Sequence, residues 1–179
     1  LRALVASWDQ SVRNNLKLKG EQKFCSPYFY ISERGIAMGS FREIDPVQFE
    51  RRYLDVPYAH EKPRQVFDLW LPNEGEGPFP LIVFVHGGGW VSGNKRENTM
   101  PGVFKLPSQG YAVACVEYRL VPDVRWPEPL EDIRAAIRFL RAHAAEYNLN
   151  AENIALMGNS AGGHLACMVA ALAGRPLMN

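Results

Sequence analysis

From residue 52 onward, apolar positions follow two distinct spacings. Segments 53–58 and 66–71 read as strands, the second setting Val66, Asp68 and Trp70 against Phe67, Leu69 and Leu71. Segments 81–85, 111–118 and 153–157 are apolar on both faces, as strands covered on both sides must be. Leu130, Ile133, Ile137, Leu140 and Ala144 form one helical stripe. Glu128, Glu131 and Asp132 lie in its first turns and Arg138, Arg141 and His143 in later ones, a polarity that suits the helix dipole. Residues 161–173 are apolar nearly all round and stop at Gly174, which predicts a buried final helix. The run Asn73-Glu74-Gly75-Glu76-Gly77-Pro78 predicts a turn. The first fifty residues are less regular. A helix over 1–16 would place Leu4, Trp8 and Val12 on one face, and an aromatic cluster follows at Phe24, Tyr28, Phe29 and Tyr30. That cluster either packs on the main body or caps a binding site.

Strands alternating with helices predict an α/β fold with a mostly parallel sheet, right-handed crossovers and helices on both faces. The organisation that follows is an N-terminal segment over 1–50 and an α/β unit over 51–179. In such sheets ligands bind at the carboxyl ends of the strands. Two glycine-rich segments fall at those ends.

Composition narrows the classes. The chain has 179 residues, enough for one domain; 47% hydrophobic and 22% charged residues exclude a disordered chain. A net charge of +1 gives no global attraction to nucleic acid or to an anionic membrane. No apolar run approaches the ~20 residues of a transmembrane helix. No signal peptide is visible in a chain that begins at Leu1, so location stays open with a cytoplasmic one favoured. Cys25, Cys115 and Cys167 have no metal or redox spacing, and the latter two are expected as small core residues.

Gly158-Asn159-Ser160-Ala161-Gly162 fits G-x-S-x-G and lies between a strand and a helix, the context that gives this pattern meaning. A sharp turn there lifts the Ser160 side chain clear of the backbone. Glycines at 158 and 162 avoid Cβ collisions across the turn, and the helix N-terminus aims N–H groups at the site. A phosphate loop is disfavoured because no lysine follows in the required spacing. Some seventy residues earlier, His86-Gly87-Gly88-Gly89-Trp90 directly follows the first doubly apolar strand. Three glycines let the backbone turn its N–H groups toward a ligand. An acyl-transfer enzyme needs such donors for the oxyanion of its tetrahedral intermediate. Gly88 and Gly89 are the candidates from this loop, and Ala161 from the turn. His86, at the strand end, is expected to brace the loop by hydrogen bonding rather than to act as general base. Trp90 either lines a substrate pocket or packs under the loop.

These segments, with Tyr118-Arg119-Leu120 and Gly163-His164-Leu165-Ala166, resemble the α/β-hydrolase fold over 52–174, in the group with an HGGG-type oxyanion loop. That group includes hormone-sensitive-lipase-like carboxylesterases, feruloyl and acetyl esterases, and kynurenine formamidases. Trp90 and His164 look like the feruloyl/acetyl esterase and formamidase branch. Asn159 departs from the lipase-like branch, which more often has Asp before the serine. Arg119 is expected to tie its loop to nearby carboxylates, and His164 to have a structural hydrogen-bonding role.

The resemblance implies a cofactor-free, metal-free serine hydrolase acting on a small-molecule ester, with Ser160 as nucleophile and oligomeric state open. It also implies a triad in the chain order Ser, Asp or Glu, His. Nineteen residues follow Ser160; none is acidic and the only histidine is His164. A continuation of about 80–130 residues bearing further strands, the acid and the histidine is therefore expected, since the strand at 154–157 would otherwise be a bare sheet edge. The segment by itself is expected to be inactive. Amide hydrolysis of an N-formyl arylamine is the nearest alternative, and a catalytically inactive binding module is the alternative of another class.

Overall fold

The runs that are apolar on both faces form the middle of a sheet. The computed structural model describes the backbone of residues 2–4, 24–26, 29–32 and 35–38, and backbone and side chains of 43–60, 64–98 and 100–174. The described strands are β1 (Arg2–Leu4), β2 (Phe24–Ser26), β3 (Phe29–Ser32), β4 (Gly35–Met38), β5 (Arg52–Pro57), β6 (Val66–Trp70), β7 (Phe79–Val85), β8 (Ala112–Val116) and β9 (Leu149–Gly158). Two helices accompany them, α1 (Glu128–Ala142) and α2 (Ala161–Ala171). β2, β3 and β4 form a separate antiparallel sheet. The main sheet has the order β1-β9-β7-β8-β6-β5.

The sheet is mixed, which corrects the expectation of a mostly parallel one. β1, β9, β7 and β8 pair in parallel, whereas β6 pairs antiparallel with both β8 and β5. The cause is connection length. Residues 58–65 join β5 to β6 and 71–78 join β6 to β7, eight residues in each case. A parallel crossover needs about a dozen or more, so the chain reverses at both joins.

The expected helices on both faces are also corrected. Among the described residues, α1 and α2 lie on the same face. Leu130, Ile133, Ile137 and Leu140 of α1 and Leu165 and Val169 of α2 share one core with Leu69, Leu81, Val83, Val85, Ala114 and Leu156. On the other face, Trp70, Phe84, Val113 and Cys115 are covered by Ile44, Val103 and the half-buried Phe49, Phe104 and Leu106. This cover is built around 3₁₀ turns at Pro46–Gln48, Val103–Lys105 and Pro107–Gln109. Pro101, Gly102, Pro107 and Gly110 interrupt the segment and prevent a longer α-helix.

α2 is not buried all round: Leu165, Ala166 and Val169 face the core, while His164 and Ala171 are exposed. Its all-round apolar composition overstated its burial. The strand edge expected at 154–157 carries a short neighbour, because β1 pairs with Ala155, Leu156 and Met157. The helix expected over 1–16 lies mostly outside the described residues, and its three described residues form β1. The side chains of the aromatic cluster at 24–30 are likewise outside them. No described helix is long and apolar enough to cross a membrane.

Arg119 ties its loop to α1 as expected. Its guanidinium meets Asp132 at 2.7 Å and Glu128 at 3.2 Å, and its backbone N–H donates to Asp132 at 3.0 Å. Asp132 also accepts from Gln65 at 2.9 Å and is 1% exposed. Asp132→Ala would leave the buried Gln65 amide without its acceptor and the half-buried Arg119 guanidinium with Glu128 alone, a loss of up to ~3–5 kcal/mol. Urea unfolding should show that loss, whereas Glu128→Ala, whose carboxylate is 45% exposed, should cost under ~1 kcal/mol.

Candidate active site

β7 and β9 end side by side, with Val85 paired to Gly158. Both glycine-rich segments therefore leave the sheet at the same place. The turn after β9 is tight. A Cβ on Gly158 would overlap the Gly162 carbonyl, and one on Gly162 would overlap the carbonyl oxygens of Val85 and His86. Only hydrogen at these two positions lets α2 start against the end of β7. Asn159 N–H donates to the Val85 carbonyl at 3.2 Å and continues the β7 pairing into the turn.

Ser160 occupies the apex with φ 51° and ψ −119°, a strained conformation for a residue with a side chain. It is exposed, and its hydroxyl does not cap α2. The Ala161 N–H makes no backbone hydrogen bond among the described residues. The helix thus presents an open donor beside an unengaged hydroxyl.

The His86–Trp90 loop closes over this apex. A Cβ on Gly87 would stand 2.9 Å from the Asn159 carbonyl and 3.4 Å from Ser160 Cβ. Gly88 (φ 105°), Gly89 (φ 60°) and Trp90 (φ 65°) all have positive φ. The Gly88 carbonyl accepts from Val91 N–H at 3.2 Å, Ser92 N–H at 3.0 Å and Ser92 Oγ at 3.0 Å. The Gly87 carbonyl accepts from His86 Nδ1 at 2.8 Å. In a trans peptide, carbonyl and N–H point in opposite directions. Holding the Gly87 and Gly88 carbonyls to one side therefore aims the Gly88 and Gly89 N–H groups to the other. Neither of these N–H groups makes a backbone hydrogen bond among the described residues.

His86 is fully buried, stacked on Tyr118 with ring centroids 4.4 Å apart. Burial pushes its pKa down to about 4, so the ring is neutral near pH 7 and carries its proton on Nδ1. This geometry fits the bracing role expected for it. Tyr118 adds a second brace, its hydroxyl donating to the His86 carbonyl at 3.1 Å.

His164 differs from expectation. It is exposed on the first turn of α2, and its ring meets Trp90 edge-on at 5.5 Å and Trp126 at 6.2 Å, with no hydrogen-bond partner for the ring among the described residues. Trp90 stands at the surface above α2 rather than under the loop. Trp126, 54% exposed, joins this aromatic group from the loop before α1, a neighbour the sequence reading did not find. His143 is remote from the turn, stacked on Phe139 at 4.0 Å. None of the four histidines hydrogen-bonds Ser160. Among the described residues no cluster of three or more His, Cys, Asp or Glu is placed to hold a metal ion. Cys115 is buried with its thiol pKa raised by burial, as a core residue would be, while Cys167 is half-buried.

An α/β sheet with a strained serine at a strand-to-helix turn, faced by a glycine loop, is the architecture of α/β-hydrolase esterases. Solved structures agree: a truncated carbohydrate esterase from gut microbiota is similar with a TM-score of 0.67 and 26% identity, over 74% of this chain and 47% of that one. The family model described as BD-FAE matches residues 67–179, and the chain belongs to that family. Curated relatives include a probable isoprenylcysteine alpha-carbonyl methylesterase of Arabidopsis thaliana, 38% identical over 67% of this chain and 26% of its own length. The esterase LipC of Mycobacterium tuberculosis is 33% identical over 70% of this chain and 32% of its own length. The chain thus spans about a quarter to a third of these relatives.

The lowered His86 pKa has a measurable consequence. An unfolded imidazole takes up a proton near pH 6.5, the folded one only near 4. Between these values the unfolded state binds more protons, so the stability held above pH 6.5 falls as pH drops, by roughly 3 kcal/mol in total. Unfolding free energies across pH 7 to 4 should show this component in the wild type and lack it in His86→Gln.

Proposed function

We propose that this chain carries the nucleophile and oxyanion hole of a serine hydrolase that cleaves carboxylic esters through an acyl-enzyme. Ser160 Oγ attacks the ester carbonyl and gives its proton to a general base. The negative charge that develops on the carbonyl oxygen is met by the Gly88, Gly89 and Ala161 N–H groups. The tetrahedral intermediate expels the alcohol, which takes the proton back, and leaves an acyl-serine. Water then attacks with the same base assisting, and the acid is released. The chain's residues call for neither metal nor cofactor in this scheme. The histidine base and the carboxylate that orients it come, in this proposal, from sequence beyond the present chain, as the greater length of its relatives allows.

The observation that carries the reading is the convergence of an exposed, strained and uncapped Ser160 with three N–H groups that have no backbone partner. A second reading, a hydrolase-like binding module without turnover, draws on the lack of an imidazole hydrogen-bonded to Ser160. A fluorophosphonate probe separates them. In the complete protein it should label Ser160 in the wild type and leave Ser160→Ala unlabelled. Ser160→Ala should also lose up to ~10⁶-fold in esterase turnover without loss of fold. A folded wild type that resists the probe would favour the binding module. Parallel assays on aryl acetates and on an N-formyl arylamine distinguish ester from formamide preference.

The two loop glycines should respond differently. A Cβ on Gly88 overlaps the Ser92 backbone, whereas one on Gly89 meets no atom within 4 Å. Gly88→Ala should therefore lower kcat by ~10²–10³-fold with KM little changed, the effect of losing one oxyanion donor. Gly89→Ala should keep more activity, and bulkier Gly89→Val less. If Gly88→Ala raised KM at constant kcat, the loop would be a binding surface only.

A further inference from the structure

Behind the glycine loop lies a group of buried and half-buried charges that the proposed chemistry does not use. Glu117 follows the wholly apolar β8 and is nearly fully buried. One of its oxygens pairs with the Arg64 guanidinium, and the other accepts the Lys95 backbone N–H at 2.9 Å. The same Arg64 nitrogen donates to the Gly93 carbonyl at 2.6 Å, and Arg64 Nε donates to the Tyr118 carbonyl at 3.2 Å. Glu117 and Arg64 thus grip residues 93–95, where the chain returns from the glycine loop. Gly93 in turn lies flat on His86: a Cβ there would stand 2.5 Å from Nδ1 and 2.6 Å from the Gly87 carbonyl.

His86 Nε2 is buried without a hydrogen-bond partner and lies 3.7 Å from the nearer Glu117 oxygen. A bare carboxylate at that distance would draw a proton onto Nε2. In the neutral ring that proton would come from Nδ1, and the lone pair left on Nδ1 would face the Gly87 carbonyl. That carbonyl would lose its donor, and the Gly88 N–H on the same peptide would lose its aim. Arg64 occupies the Glu117 oxygen that faces Nε2 and neutralises it. The other cation nearby, the Lys95 ammonium, is engaged by Asp55 at 2.6 Å and Asp68 at 3.7 Å, and Tyr118 covers one face of the ring.

We infer that Arg64 and Glu117 are positioning residues for the oxyanion loop: they clamp the segment that leaves it at Gly93 and Lys95 and hold His86 in the tautomer that aims the Gly88 N–H. The inference about catalysis rests on the proposed role of Gly88; the inference about the tautomer stands on the geometry alone. The pair bonds the segment behind the loop rather than the loop's own N–H groups, so its expected effect is on the rate of the chemical step and not on ground-state binding.

The test combines kinetics and spectroscopy. In the complete protein, Arg64→Gln and Glu117→Gln should each lower kcat by at least ~10-fold with KM within about twofold, the split expected when oxyanion donors are misaimed. Nitrogen-15 spectra of His86 near pH 7 should show the Nδ1–H tautomer in the wild type and protonation of Nε2 in Arg64→Gln. A purely structural pair would lower stability without moving that spectrum. If buried Glu117→Gln fails to fold, Arg64→Gln, whose side chain is 35% exposed, carries both measurements. Wild-type kcat in Arg64→Gln together with an unchanged His86 spectrum overturns the inference. An altered spectrum with unchanged kcat would retain the tautomer control and reject the role of Gly88 as oxyanion donor, which keeps the two failures apart.

Discussion

Gly162 has no room for a side chain, because the carbonyl oxygens of Val85 and His86 fill the space where a Cβ would go. That close approach holds together the end of β7, the turn after β9 and the first residue pairs of α2. With it, the helix N-terminus and the glycine loop face the same point, and the apex residue must adopt the strained conformation seen at Ser160. A methyl group at 162 would push the helix away from the strand end and separate the serine from the loop. The α2 core contacts of Leu165 and Val169 with the sheet supply the apolar burial that offsets the strain at the apex.

The loop itself is held from behind. Its carbonyls accept from His86, Tyr118 and Ser92, so the Gly88 and Gly89 N–H groups point the other way and make no backbone hydrogen bond among the described residues. The buried Glu117, Lys95 and Asp68, with the half-buried Arg64 and Arg96, form the layer beneath. Asp68 is fully buried yet bonded by Arg96 at 2.6 Å and by the Asp55 N–H at 2.8 Å. Burial on this scale is tolerated only when each charge has partners. A fixed set of dipoles, prepared before any substrate arrives, is what electrostatic stabilisation of an oxyanion requires.

Much of this was legible in residue order. The doubly apolar runs became the central strands, the helical stripe from Leu130 to Ala144 became α1, and the two glycine motifs came together at the ends of β7 and β9. Two fold expectations failed for identifiable reasons. The eight-residue joins at 58–65 and 71–78 forced antiparallel pairing, which the turn signal at 73–78 already hinted at. The Pro and Gly residues of 101–110 replaced a helix on the second face by 3₁₀ turns. Glu117 was missed although it is conspicuous, a lone carboxylate closing an otherwise apolar strand.

The sequence by itself determined the local elements and the chemistry on offer, because periodicity, glycine spacing and a serine between strand and helix are short-range properties. It could not decide which charges meet, because Arg64 and Glu117 are 53 residues apart and come together only when β6 and β8 pair. Nor could it decide the surroundings of His164 and Trp90, since the ring of Trp126 reaches them from a separate loop. Side-chain partnership across distant segments is a consequence of strand order and connection length. Those follow from how the whole sheet buries its two faces, and so belong to the tertiary structure.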